Sequence, residues 1–207
     1  MDCPGLTTIH ISDLEAWCKI SFTDFFANPL SEGHHLYLNG EEIKELVIPN
    51  SVTIINNYAF SGCSGLTSVT IPNSVTSLGG SAFYNCSGLT SVTIINSVTS
   101  IGNGAFYNCS GLTSVTIPNS VTSIEGYTYY KCSRLNSVTI GSGVKTIGLS
   151  AFESCPELKD VYCYASNVPY NIRIRLRIHI LNMQRFMFQL NLWMPTRQQT
   201  LGRNSKR

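Results

Sequence analysis

From Leu66 onward, apolar residues return at fixed places with hydroxyl and amide residues between them. The stretch Leu66-Thr-Ser-Val69-Thr-Ile71-Pro-Asn-Ser-Val75-Thr-Ser-Leu78-Gly-Gly-Ser-Ala82-Phe83-Tyr-Asn-Cys86-Ser-Gly ends, and the same text begins again at Leu89. Leu66, Leu89, Leu112, Leu135 and Leu158 are each 23 residues apart, as are Val69, Val92, Val115, Val138 and Val161, and Cys63, Cys86, Cys109, Cys132 and Cys155. A fixed period of this length signals a solenoid, in which each coil packs on its neighbours. Within a coil, Val69 and Ile71 alternate with Ser68 and Thr70, which predicts a short strand with its apolar side inward. Pro72 ends the strand, because proline lacks the donor that a sheet interior requires. Val75 and Leu78 face the core again, Gly79-Gly80 turns the chain, and Ala82-Phe83 opens a half-turn or short helix that ends at Cys86. The expected fold is a solenoid, a single domain of 23-residue coils, mostly β with short helical or 3-10 turns, joined by a parallel β ladder.

The edits between copies respect this scheme. Leu78 becomes Ile101, Ile124 and Ile147, and Phe83 becomes Tyr129 where Ala82 becomes Thr128. Ile95 takes the place of the turn proline, and nothing in the pattern explains it. Before the regular array, which begins near Ile43, residues 1–42 read as an enlarged, irregular coil. Cys3-Pro-Gly5-Leu6-Thr-Thr-Ile9-His-Ile11 superimposes on Cys63-Ser-Gly65-Leu66-Thr-Ser-Val69-Thr-Ile71, so Met1 enters near the end of a coil. The chain is therefore expected to be a fragment, and an uncapped coil would offer an end for end-to-end self-association. Ser12-Asp-Leu-Glu15 reads as a capping box for a short helix through Trp17 and Cys18. Asn39-Gly40, between His35-Leu-Tyr-Leu38 and Glu42-Ile43-Lys-Glu-Leu46-Val-Ile48, is a hairpin signal. Trp17, Phe22, Phe25 and Phe26 are expected in the core of this coil.

Composition narrows the chemistry. Charged residues are 13% of the chain, about half the usual share. From Val47 to Ile124 there is no Asp, Glu, Lys, Arg or His. General acid–base catalysis and hard-metal binding need such groups close together, so no enzyme, metal or cofactor is expected. The column of five cysteines reads as small apolar filler in place of disulfides or a metal site, since stacked side chains run parallel and do not turn toward each other. His34-His35 cannot chelate as a pair, because neighbours on a strand point to opposite faces. Glu41-Glu42 reads as a solvated hairpin tip. Asn85-Cys86-Ser87 and Asn108-Cys109-Ser110 fit the N-glycosylation triplet and matter only in a eukaryotic secretory host. No run of about 18 apolar residues suits a membrane span, and Met1-Asp2-Cys3-Pro4 lacks the basic start and apolar run of a signal peptide.

The unit Leu-x-x-Val-x-Ile-Pro-x-x-Val-x-x-Ile-Gly-x-x-Ala-Phe-x-x-Cys resembles the BspA-like leucine-rich repeats, over about residues 43–163 and more weakly over 3–42. The resemblance implies a surface or secreted protein of an anaerobic bacterium or a protist parasite, acting as an adhesin on host matrix proteins or on other cells.

Residues 171–207 do not belong to the array. They hold eight Arg or Lys and no acid, whereas residues 1–170 hold six basic and twelve acidic residues. Ile172 to Ile180 alternates arginine and histidine with aliphatic residues, which suits an amphipathic strand. A basic tail would suit nucleic acid or an acidic membrane. The alternative is a one-base frameshift between about Val168 and Arg173. Read one base out of step, Met183-Gln184 compels Ala, Met187-Phe188 Val, Trp193-Met194 Asp and Met194-Pro195 Ala, within a continuous sequence that resembles a closing strand and helix of this family. A frameshifted, poorly ordered tail is the expectation, which makes nucleic-acid binding an unfavoured reading.

What remains for function is a surface. The outward columns Ser68-Ser91-Ser114-Ser137 and Thr70-Thr93-Thr116-Thr139 would tile one sheet face with uncharged hydroxyls, and Tyr84, Tyr107, Tyr127 and Tyr130 add aromatic edges on the far side. Extended faces of this kind are what solenoids use to hold partners. Protein binding is the leading reading and a structural spacer the second.

Overall fold

The computed structural model describes residues 5–165 and the backbone of 177–180. The irregular region holds β1 (Thr8–Ile11), α1 (Leu14–Lys19), a 3-10 turn over Phe25–Ala27, β2 (His35–Leu38) and β3 (Glu41–Glu42). The array then alternates longer and shorter strands: β4 (Glu45–Val47), β5 (Ile54–Ile55), β6 (Ser68–Ile71), β7 (Ser77–Leu78), β8 (Ser91–Ile94) and β9 (Ser100–Ile101). It continues with β10 (Ser114–Ile117), β11 (Ser123–Ile124), β12 (Ser137–Ile140), β13 (Thr146–Ile147) and β14 (Asp160–Cys163), and β15 (Arg177–Ile180) follows.

Each long strand pairs in parallel with the strand one coil on, residue i with residue i+23: Val69 lies opposite Val92, and Val115 opposite Val138. The alternation has the predicted sense, with Val69 and Ile71 buried while Thr70 is exposed. A second parallel sheet, in the order β13-β11-β9-β7-β5, runs through the array beside the first. The sequence pattern placed Leu78 and its equivalents in the core but did not signal these two-residue strands.

The long-strand ladder is not continuous. Strands β4-β6-β8 form one sheet and β10-β12-β14-β15 another. At the parting, Thr113 N–H reaches Thr90 O at 3.4 Å, whereas the corresponding bonds from Thr90 to Thr67 and from Asn136 to Thr113 measure 2.9 and 2.8 Å. Val92 is half-buried there, although Val69, Val115 and Val138 are buried. This is the rung on which Ile95 stands in the proline position, so its irregularity in sequence and in pairing coincide.

The third side of each coil is not helical. Between Gly79 and Cys86 the backbone donors alternate: Ser81, Phe83 and Asn85 donate to Asn103, Ala105 and Tyr107 of the next coil, while Ala82, Tyr84 and Cys86 close tight turns onto Gly79, Ser81 and Phe83. Two positions per coil adopt left-handed backbone, one running Tyr58, Ser81, Gly104, Tyr127, Ser150 and the other Gly62, Asn85, Asn108, Lys131, Ser154. These left-handed residues interrupt the run of right-handed backbone that a helix needs, and they turn alternate N–H groups toward the neighbouring rung. The coils come close enough there that a Cβ on Gly102 would lie 2.6 Å from Gly80 N, which excludes a side chain.

The core is a set of stacked like residues. Phe60, Phe83, Phe106, Tyr129 and Phe152 form a near-parallel ring ladder with successive centroids 5.3–5.4 Å apart. The cysteine column lies beside it, buried except at the half-buried Cys155, and four of its sulfurs donate to a carbonyl one rung back: Cys86 to Phe60, Cys109 to Phe83, Cys132 to Phe106 and Cys155 to Tyr129, at 3.1–3.2 Å. The seven cysteines among the described residues are free thiols. Burial raises Cys63 to about 12 and Cys155 to about 11, and pushes Cys86 and Cys109 well above the ordinary thiol range. These are packing groups with a weak donor, as the column position suggested.

The irregular region caps the first coil. The N-cap of α1 is Asp13, whose carboxylate accepts from Ala16 N–H at 2.9 Å, so the cap falls one residue later than the Ser12 box predicts. Glu15, released from that role, pairs with Lys19 at 2.6 Å and accepts from the Ser51 hydroxyl. The helix lies along β5, with Asn56 donating from both backbone and side chain to Cys18 O and Lys19 O. Trp17 Nε1 donates to Ala59 O, and Asn28 Nδ2 donates to Tyr58 O, while Asn28 Oδ1 accepts from Leu30 N–H. One coil on, Ala82 O accepts from the backbone N–H of Phe60; here two side chains replace a preceding coil. The Asn39-Gly40 hairpin is present, with both residues left-handed and Tyr37 opposite Glu42.

Beyond β14, strand β15 continues the ladder with Asp160 opposite Arg177, a step of 17 residues where the array uses 23. The expected amphipathic strand over 172–180 therefore includes a strand over its last four residues. The out-of-frame and disordered character expected for the rest of 171–207 lies outside the described residues.

Candidate binding face

The eight hydroxyl residues lie on the long-strand side of the coil. Ser68 and Thr70 stand opposite Ser91 and Thr93, and Ser114 and Thr116 opposite Ser137 and Thr139. Thr70, Ser91, Thr93, Ser114 and Thr116 are exposed, while Ser68, Ser137 and Thr139 are half-buried. Each of the two predicted columns is thus two pairs, separated at the parting between β8 and β10.

The face extends further than the Ser and Thr pattern marks. Glu45 and Val47 occupy the same columns before Ser68 and Thr70, and Asp160 and Tyr162 follow Ser137 and Thr139. Val47 is 65% exposed. The 23-residue register alone would have assigned these four residues, since each lies one step from a Ser or Thr already in a column.

The hydroxyls of this face differ from those of five threonines in the neighbouring columns, which bond across rungs. Thr67 and Thr90 donate through Oγ1 to Lys44 O and Thr67 O at 2.9 and 3.0 Å. Thr76, Thr99 and Thr122 do the same to Thr53, Thr76 and Thr99 at 3.2–3.4 Å. Those hydroxyls tie one rung to the next. None of the eight on the long-strand face has a side-chain hydrogen bond within the described residues. They are left to solvent or to a partner, each able to donate and accept.

The turn side carries the aromatic edges. Tyr84 stacks on Tyr107 at 4.7 Å between centroids, and Tyr107 meets Tyr130 at 4.9 Å with the rings tilted by 33°. Phe25 packs edge-on against Tyr84 at 5.2 Å and Phe26 against Phe25. Phe26 is 79% exposed. Trp17 is buried as expected, but Phe25 and Phe26 are not in the core of the irregular coil; they prolong the tyrosine row. Nothing in local sequence signals this, because it depends on where the 3-10 turn docks. Asn108 Nδ2 donates to Asn85 Oδ1 at 2.6 Å, so the two glycosylation-triplet amides are bonded to each other.

His34 and His35 diverge: His34 Nδ1 lies against Pro29 O and His35 Nδ1 against Glu42 Oε1, each at 2.5 Å. Glu42 is accordingly not a free hairpin tip. The hydrogen bond from His35, with Lys44 adding attraction at 3.5 Å, holds its carboxyl below the usual range. Among the described residues, no group of three or more His, Cys, Asp or Glu is placed to hold a metal ion, and no helix is long and apolar enough to cross a membrane.

Residues 33–159 match the model of the BspA type leucine rich repeat region, in six copies. The chain belongs to that family. A leucine-rich cell surface protein from Faecalibacterium prausnitzii is 34% identical over 61% of this chain and 34% of its own, with a TM-score of 0.59. A leucine-rich repeat protein from T. pallidum is 30% identical over 58% of each chain, with a TM-score of 0.57. One from Eubacterium ventriosum is 28% identical over 67% of this chain and 42% of its own, with a TM-score of 0.56. The chain thus spans about a third of the length of the first of these BspA-type relatives and over half of the second. No curated protein matches the chain. The repeat fold of this family is typical of protein-binding surface proteins, and this chain has that fold.

Proposed function

We propose that the long-strand face of this BspA-type solenoid is a protein-binding surface, that the chain is non-catalytic, and that it works at the cell surface or outside the cell in adhesion to matrix or to other cells. The observation that carries the reading is the split in hydroxyl use. Thr67, Thr76, Thr90, Thr99 and Thr122 are engaged by neighbouring rungs, whereas Ser68, Thr70, Ser91, Thr93, Ser114, Thr116, Ser137 and Thr139 are not. A row of unspent donors and acceptors on a rigid sheet costs little to order on binding. The F. prausnitzii relative is described as a cell surface protein, which supports the location. End-to-end association through terminal coils would use the same stacking geometry.

The test is a panel of extracellular-matrix proteins presented to the full chain and to a variant carrying Thr93→Arg and Thr116→Arg, two exposed positions that flank the parting. The expected result is a saturable interaction with at least one matrix protein, weakened tenfold or more in the variant. No interaction with any of them would leave the spacer reading. Salt-sensitive DNA binding lost on removing 171–207 would favour the tail instead.

A further inference from the structure

Two Asn-Gly dipeptides stand in the chain, Asn39-Gly40 and Asn103-Gly104. Each carries both partners of a reaction with itself. The backbone nitrogen that follows an asparagine can attack the side-chain amide carbon, and glycine, with no side chain, leaves that nitrogen unhindered. The two dipeptides share an exposed asparagine and a left-handed glycine, with φ 91° at Gly40 and 60° at Gly104. They differ in what holds the peptide unit between the two residues.

At Asn103-Gly104 the neighbouring rungs hold both ends of that unit. Asn103 O accepts from Ser81 N–H at 2.8 Å, and the buried Gly104 donates its N–H to Gly126 O at 2.9 Å. The nitrogen cannot turn toward the asparagine side chain without leaving one coil above and one below unpaired. At Asn39-Gly40 neither end is held. Asn39 N–H donates to Ile11 O at 3.0 Å, but among the described residues no hydrogen bond involves Asn39 O, Gly40 N–H or the Asn39 side-chain amide. Gly40 is exposed, and a Cβ built on it would meet nothing within 4 Å. The hairpin tip therefore presents an unbonded nucleophile, an unbonded amide carbon and open access to water.

We infer that Asn39 is a site of spontaneous deamidation in the folded protein, and that stacking shields Asn103 from the same reaction. Gly40 N gives up its proton to base and bonds to Asn39 Cγ. Ammonia leaves, and the residue closes into a five-membered succinimide. Water then opens the ring at one carbonyl or the other, leaving aspartate or β-linked isoaspartate at position 39. No oxidant or reductant is needed, and water is the only co-reactant. Either product sets a new carboxylate beside Glu41 and Glu42. The β-linked product also adds a methylene to the main chain, inside the two-residue turn that sets Tyr37 opposite Glu42 and Leu38 opposite Glu41. That hairpin leads straight into the array, where Ile43 N–H donates to Leu36 O at 2.8 Å. The modification thus falls on the joint between the irregular region and the first regular coil. It does not depend on what the hydroxyl face binds.

The full chain, incubated at mildly alkaline pH in buffer and in concentrated urea, tests it by peptide mass spectrometry after digestion at low pH. In buffer the one-dalton gain is expected at Asn39 at least tenfold faster than at Asn103. In urea, where no rung holds either peptide unit, the two should react at similar rates. The aged native chain should also accept methyl groups from an isoaspartate-specific carboxyl methyltransferase. Asn39→Gly, which keeps a dipeptide suited to the turn but removes the amide, should lose most of that acceptance. Equal rates at the two positions in buffer overturn the inference. So does an Asn39 that reacts in urea and stays intact in buffer, because the turn would then be the shield, or methyl acceptance that Asn39→Gly leaves unchanged.

Discussion

The irregular region and the regular array solve one problem by opposite means. Every rung of a solenoid leaves backbone donors and acceptors that must be met by something above and below it. In the array the something is another copy of the same rung: Phe83 N–H meets Ala105 O, and Phe106 N–H meets Thr128 O. In the irregular region it is side chains, with the Trp17 indole and the Asn28 amide serving Ala59 and Tyr58. Repetition makes the array cheap to specify and leaves the hydroxyls of its long-strand face without a structural task. The cap has no repeat to rely on, so its residues are individually committed, and it holds most of the carboxylates the array lacks. A surface free for binding is therefore a by-product of periodic satisfaction.

The largest expected effect tests how far the array is one continuous body. Phe106 is fully buried with Phe83 on one side and Tyr129 on the other. Phe106→Ala should cost about 3–5 kcal/mol in urea denaturation, because rings held in a ladder cannot close over the gap. A cost near 1 kcal/mol would mean that neighbouring coils slide together, and that the array is softer than its stacking implies.

The cap should be more sensitive to single polar changes. Asn28 is fully buried, and its amide serves three backbone groups, the carbonyls of Tyr58 and Ala59 and the N–H of Leu30. Asn28→Ala is expected to destabilise by about 2–3 kcal/mol, because Tyr58 O loses its donor and Leu30 N–H its acceptor, while Ala59 O keeps only the Trp17 indole. No exposed hydroxyl of the array, such as Thr93 or Thr116, should cost more than about 0.5 kcal/mol when changed to alanine. If Asn28→Ala were equally mild, the cap would not be closing the first coil by these bonds.

This division also decides what the sequence could reveal. Spacing alone places Leu66, Val69, Ile71 and Phe83 and their copies in the core, because a column repeated five times states its own environment. The 23-residue step likewise puts Ser68 opposite Ser91. It does not reveal that β8 and β10 part, since Gly141 replaces the same proline as Ile95 and the ladder from β10 through β12 to β14 runs on there unbroken. Nor does it reveal the second sheet, whose strands of two residues carry no alternation. The left-handed backbone at Tyr58, Tyr127 and Lys131 is invisible for a chemical reason: these residue types do not advertise it, whereas Asn85, Asn108 and Gly104 in the same columns do. Where the chain is irregular, local signals served unevenly. Asn39-Gly40 marked its hairpin, but the helix cap moved to Asp13, and Phe25 and Phe26 joined a ridge formed by residues at least 58 positions away.

A smaller effect than either core change concerns the place where the array departs from its own rule. Tyr129 takes the phenylalanine position in the buried ladder, and its hydroxyl has no hydrogen-bond partner among the described residues. The accompanying change from alanine to Thr128 does not supply one, because the Thr128 hydroxyl is spent on Glu125 O at 2.7 Å. Burial also pushes the phenol well above its ordinary pKa, so ionisation offers no relief at neutral pH. A hydroxyl moved from water into an apolar stack without a partner costs free energy, and removing it leaves the ring contacts with Phe106 and Phe152 intact. Tyr129→Phe should therefore stabilise the protein, by about 1 kcal/mol, with an unchanged denaturant slope showing that the folded surface is the same. A loss of stability would mean that this hydroxyl finds a bonding partner in solution, and the array would then be satisfying a polar side chain in the way the cap does.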